Sequence, residues 1–195
     1  YGRTGTPVAP AEFLHWSAAL SLDLCDYWIA IGTQHDIEGC DRGAEEAFRR
    51  AQRSDPGRAE PQIHLGLLHA SEGRAQEAIR ELEQAARLAP RYADVRYLLG
   101  LLYEDVGRLD EAETEFRNAL DEHPRYTMAR LALGSLLAAQ GRDREALQLL
   151  ESVQRTGVSS ADLESHLADL YDGLGQTVAA ERARARAHAL SSAGD

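Results

Sequence analysis

A 34-residue period constrains this chain more than any other feature. The pairs Ile31-Gly32, Leu65-Gly66, Leu99-Gly100 and Leu133-Gly134 recur at that interval, and Leu167-Ala168 continues the series. Seven residues after each small residue stands a glycine: Gly39, Gly73, Gly107, Gly141 and Gly175. Five further on stands an alanine (Ala44, Ala78, Ala112, Ala146, Ala180), and seven beyond it a small apolar residue (Ala51, Ala85, Ala119, Val153, Ala187). Three units then place a proline five residues later, at Pro56, Pro90 and Pro124. A fixed period of this length marks a repeat architecture, in which each unit buries its apolar face only against its neighbours.

Each mark has a physical reason. The mid-unit glycine sits where a helix must end in a left-handed residue. The proline closes the following segment, because its ring cannot continue a helix. Between them lie segments of about a dozen residues with apolar spacing of three and four, as in Val95, Leu98, Leu99 and Leu102. Ala and Leu supply most of the 44% hydrophobic residues, and both are strong helix formers. Each unit therefore reads as a helix–turn–helix hairpin, with glycine or alanine at the inner positions so that the two helices approach closely.

The pattern resembles the tetratricopeptide repeat family. Trp28, Gly32, Ala44, Phe48, Ala51 and Pro56 carry the resemblance in one unit, and Gly100, Tyr103, Ala112, Phe116, Ala119 and Pro124 in another. The resemblance implies an all-α, right-handed α-solenoid of five helical hairpins at 25–58, 59–92, 93–126, 127–160 and 161–194. Residues 1–10, rich in Gly, Pro and Thr, read as a flexible lead. Residues 11–24 carry a helical stripe (Phe13, Leu14, Ser17, Leu20, Ser21, Leu24, with Trp16 beside it) and read as a capping helix on the first hairpin. A docking helix is the alternative reading of that segment. The fourth unit has Val158 in place of proline, so its second helix is expected to stop early. The fifth carries Arg182, Arg184 and Arg186 where units 1 and 3 have Phe and its neighbours. These arginines read as the polar outer face of an end repeat, with a basic interaction patch as the alternative.

In the family, the first helix of each unit lines a concave face through its second, fifth, ninth, twelfth and thirteenth positions. Carried onto this sequence, those positions give a candidate partner-binding surface. Its apolar middle is Ile63, Leu67, Tyr97, Leu101, Met128 and Leu131, with Ser135 beside it. Its rim is Asp36, Asp94, Glu104, Asp105, Asp162, Asp169 and Asp172, and no basic residue falls on these positions. The expected occupant is a protein or peptide that combines apolar with basic residues, since charge complementarity speeds and selects association. Family members that grip the carboxylate tail of heat-shock chaperones use Lys and Asn on this face. This chain has no Lys at all, so such a tail is not the expected ligand.

The formal net charge is −11, which opposes a nucleic-acid partner. No apolar run reaches membrane-spanning length. No His-Glu-x-x-His or Cys-x-x-Cys motif occurs. The seven histidines, including His64 and His69, read as surface or groove residues. Carboxylates at helical spacing, such as Glu81 with Arg80 and Glu83 with Arg87, read as solvated pairs. No catalytic constellation, metal site or cofactor loop is found, so the expected role is a non-catalytic scaffold or adaptor. A repeat segment of a larger enzyme or regulator, or a self-assembling scaffold, are the alternatives. Cys25 and Cys40, placed at the two ends of one helix, would lie roughly 20 Å apart at 1.5 Å per residue. A disulfide needs about 7 Å, so both are expected as free thiols. The chain begins at Tyr1 rather than Met and reads as processed or trimmed. The cytoplasm is the expected compartment, with a periplasmic or membrane-tethered location left open.

Overall fold

The computed structural model describes residues 23–192, which form ten α-helices and no strand. They are α1 (Leu24–Ile37), α2 (Asp41–Ser54), α3 (Glu60–Ser71), α4 (Ala75–Leu88), α5 (Ala93–Asp105), α6 (Leu109–Glu122), α7 (Thr127–Ala139), α8 (Asp143–Gln154), α9 (Ala161–Gly173) and α10 (Thr177–Ser192). The helix expected at 11–24 lies almost wholly outside the described residues. The chain divides into two compact units, one reaching Leu102 and the other starting at Tyr103.

The turns inside the hairpins share one geometry. Gly39, Gly73, Gly107, Gly141 and Gly175 all have φ between 69° and 76°. In the first, Gly39 N–H donates to the Asp36 carbonyl (3.0 Å) and Cys40 N–H to that of His35 (2.8 Å). These are the paired bonds of a Schellman stop, which satisfies carbonyls the helix leaves open. The same pair recurs at Gly73-Arg74, Gly107-Arg108, Gly141-Arg142 and Gly175-Gln176. α8 ends at Gln154, two residues short of the position matched by Ser54 and Leu88, and stops in a turn with Gly157 at φ 86°.

Within the first unit, α1 pairs with α2, α2 packs on α3, and α3 pairs with α4. Phe48, 1% exposed, is the anchor: it packs with Ala44, Leu65 and Leu68 and stacks on the His64 ring at 4.8 Å. The hairpins close tightly because the small residue of the first helix faces a large one on the second. A Cβ on Gly32 would lie 2.4 Å from the Phe48 ring. One on Gly66 would lie 2.7 Å from Leu82. Arg58, in the turn after α2, bridges to Asp26 (2.7 Å) and Asp23 (3.2 Å), tying the start of α1 to the following hairpin.

Within the second unit, α6 packs on α7, α7 pairs with α8, α8 packs on α9, and α9 pairs with α10. Phe116, Leu133, Leu136, Leu137, Leu150 and Leu167 form its largest buried side chains. Gly134 and Leu150 repeat the close approach, at 2.6 Å for a built Cβ. In the last hairpin the facing pair changes at both ends. Ala168 replaces the glycine, and the exposed Arg184 replaces the large apolar residue and pairs with Asp172. With no bulky group to receive, α9 accommodates the methyl.

Three sequence expectations are corrected here. Glu81 bonds Arg49 of the preceding hairpin at 2.8 Å, and Arg80 turns to Glu77. His69 is buried, its Nδ1 facing the Arg74 guanidinium and the Glu72 carboxylate 3.7 Å away, so it is no surface histidine. His64 is half-buried against Phe48, and burial pushes its imidazole below the ordinary histidine value. Cys25 is buried in α1, whereas Cys40 is exposed beyond the turn, at the N-cap of α2 rather than the end of α1; both are free.

Candidate functional site

In the first unit, the candidate surface draws on α1, α3 and α5. Asp36 and Asp94 are exposed, Ile63 and Tyr97 are half-buried, and Leu67 and Leu101 stand 43% and 37% exposed. A leucine left this open on a packed helix offers apolar area to a partner, since the remaining face gains nothing from the fold itself. No described basic side chain pairs with Asp36 or Asp94.

In the second unit, the surface draws on the end of α5, α7 and α9. Met128 is 51% exposed, and Leu131 and Ser135 are half-buried. Asp105, Asp162 and Asp169 are exposed and unpaired among the described residues. Glu104 is half-buried, and that burial raises its carboxyl above the ordinary glutamate value. Asp172 differs from the other carboxylates of the rim, because Arg184 neutralises it. That ion pair accounts for one arginine of the C-terminal helix. A second, Arg186, donates from Nε to the buried Glu164 at 2.8 Å, and Gln154 completes that carboxylate's bonding at 2.7 Å. Tyr171 donates to Glu151 at 2.7 Å, and burial together with that bond pushes its phenol up to about 12.

Two residues missed by the sequence reading join the second unit's surface. Asp143, at the start of α8, and His166, on α9, line a cavity together with Ser135 and Asp169. Asp143 lies on the second helix of its hairpin, outside the positions that the resemblance assigns to the binding face. Among the described residues, no group of three or more His, Cys, Asp or Glu side chains is arranged to hold a metal ion, and no helix is long and apolar enough to cross a membrane.

Helical hairpins closed by Schellman glycines, with exposed apolar and acidic side chains on their first helices, define a helical repeat protein. Two family models, both described as tetratricopeptide repeat, match residues 97–160 and 69–116. Residues 69–160 thus carry tetratricopeptide repeats, a fold that serves in general as a protein-interaction scaffold and is typically non-catalytic. Members of this family bind protein or peptide partners. No curated protein matches the chain significantly in sequence. Among solved structures, a MamA protein is 21% identical, with a TM-score of 0.75 over 84% of this chain and 89% of that one. MamA from Desulfovibrio magneticus RS-1 is 15% identical, with a TM-score of 0.79 over 89% and 98% of the two chains. YrrB is 20% identical, with a TM-score of 0.73 over 91% of each. At such identities the likeness is one of fold.

Proposed function

We propose that the chain is an adaptor whose first-helix faces bind a peptide or partner segment carrying apolar residues flanked by arginine or lysine. One observation carries this reading. Leu67, Leu101 and Met128 stand open to solvent on those faces, while the charged side chains at the same positions are all carboxylates. Each leucine has already lost about half of its accessible surface to packing. Covering the rest contributes on the order of 1 kcal/mol per side chain, given about 1.5–3 kcal/mol for full burial. Several such contacts give useful affinity, and the carboxylates add speed and selectivity for cationic partners. YrrB, which shares the fold, is described as a TPR protein with an unusual peptide-binding site, and that is compatible with a groove-type ligand here.

The test is selection of random displayed peptides on the immobilised full chain, followed by fluorescence anisotropy of the selected peptides. Enrichment of peptides that combine Arg or Lys with Leu, Ile or Phe is expected. Affinity should fall at least tenfold in an L67E/L101E variant or an M128E variant. Selection of acidic peptides, or binding unchanged in those variants, would overturn the reading.

A further inference from the structure

We infer that the second unit contains a subsite for one arginine side chain of the bound peptide, in the cavity between α7, α8 and α9. The inference rests on the peptide-binding reading above and adds which side chain is read and where. The cavity measures about 270 Å³, with Leu150 and Leu170 among the residues that line it and Asp143, His166, Asp169 and Ser135 as its polar groups. Small-molecule and cofactor pockets run from about 300 to 1,000 Å³. This one suits a single long side chain with a few waters.

Its electrostatics select a cation. Asp143 and Asp169 take part in no ion pair among the described residues. Ser135 and Ala138 belong to the last turns of α7, which ends at Ala139. Asp169 and Leu170 lie one turn before the end of α9 at Gly173. The C-terminal end of a helix carries about −0.5 of an elementary charge and favours a cation beside it. Neither α7 nor α9 has a basic residue of its own in its last turn, whereas α2 and α4 have Arg53 and Arg87 there; the Arg184 of α10 that approaches the end of α9 is taken up by Asp172, which does not line the cavity.

Asp143 sharpens the point. Its Oδ2 lies 3.2 Å from where a Cβ on Gly173 would stand, so the carboxylate rests against the negative end of α9. The carboxylate is held there by the N-terminus of its own helix, and together with the negative end of α9 it presents two negative groups to a cation placed between them. A guanidinium fits better than an ammonium. It is planar, weakly hydrated and able to address two carboxylates, and its three-carbon stem suits the leucine lining.

The test titrates the isotope-labelled full chain with N-acetyl-arginine amide and, separately, with N-acetyl-citrulline amide, its neutral isostere, following backbone amide shifts by NMR. Saturable shifts at Ser135, His166 and Asp169 are expected with the arginine compound, with a Kd on the order of 1 mM for so small a ligand. Citrulline should bind at least tenfold more weakly, as should arginine to the D143N/D169N variant. The citrulline comparison needs no variant and stands even if D143N/D169N folds poorly. Equal binding of the two compounds, or shifts spread over all carboxylates without saturation, would overturn the inference. A selected peptide that binds wild type and D143N/D169N equally would sink the arginine subsite and leave the peptide-binding reading standing. A saturable arginine site with no selectable peptide would do the reverse.

Discussion

Replacing Gly32 with alanine should destabilise the first hairpin, although intrinsic helix propensity says the opposite. Gly32 lies inside α1, where alanine is favoured over glycine by about 1 kcal/mol. The added methyl, however, would stand 2.4, 2.5 and 2.9 Å from three atoms of the Phe48 ring. Carbon atoms pack best at about 3.5–4.0 Å, so the overlap exceeds roughly 1 Å. Phe48 cannot yield, since it is 1% exposed, stacked on His64 and locked against Leu65 and Leu68. The helices must therefore part. Overpacking of this kind costs about 1–3 kcal/mol, and a rigid ring belongs at the upper end. Subtracting the propensity gain leaves a net loss of about 2 kcal/mol. Gly66→Ala meets the more pliable Leu82 at 2.7 Å and should lose less. Ala168→Gly should lose about 1 kcal/mol with no relief, because Arg184 turns to Asp172 and brings no bulky apolar group against the methyl.

Urea unfolding followed by Trp28 fluorescence and by circular dichroism measures all three. With a slope of about 2 kcal/mol per molar, Gly32→Ala should lower the midpoint by about 1 M. A Gly32→Ala protein as stable as wild type would show that α1 and α2 separate freely, and the close-approach account of the repeat glycines would be wrong.

Gly73→Ala should cost about 1 kcal/mol for a different reason: nothing lies within 4 Å of a built Cβ, but φ is +73°, so Gly73→Asn should be milder in the same urea assay. Arg186→Met leaves Glu164, 1% exposed, with Gln154 alone as its described hydrogen-bond partner and should destabilise by about 2–4 kcal/mol, while the double variant Glu164→Met/Arg186→Met should recover most of that loss. Burial raises the Glu104 carboxyl in the folded chain, so the folded state holds its proton more tightly than the unfolded one. Its contribution is therefore fully present below the ordinary glutamate pKa and lost as pH rises through the folded value. Stability measured at pH 4 and pH 7 should show Glu104→Gln gaining on wild type as pH rises, and a pH-independent difference would contradict this.

The parts of the structure legible in the sequence are those that obey its own period. The turn glycines recur at a fixed interval in all five units, and the glycines of close approach and the prolines recur at the same interval in most of them. The side-chain bonds between hairpins were not legible, because a search for neighbours three or four residues away looks along one helix. Glu81 therefore suggested Arg80 and in fact meets Arg49, 32 residues back. The burial of Glu164 was not legible either, because its partners are Gln154 from one helix and Arg186 from another. Yet these bonds follow the repeat as well. Arg74 meets Glu45 at 3.2 Å, and Arg142 meets Glu113 at 2.6 Å, both across 29 residues, from the position just after the turn glycine. Burial pushes the Glu113 carboxyl up, but Arg142 and Arg117 outweigh it and hold it below the ordinary value. Arg108, at the same place after its turn glycine, bonds Glu111 at 2.8 Å and lies over the Tyr103 ring at 4.5 Å. Within each compact unit the repeat thus sets where the arginine after the turn glycine reaches, and the carboxylate at the far end of that reach makes the bridge between hairpins.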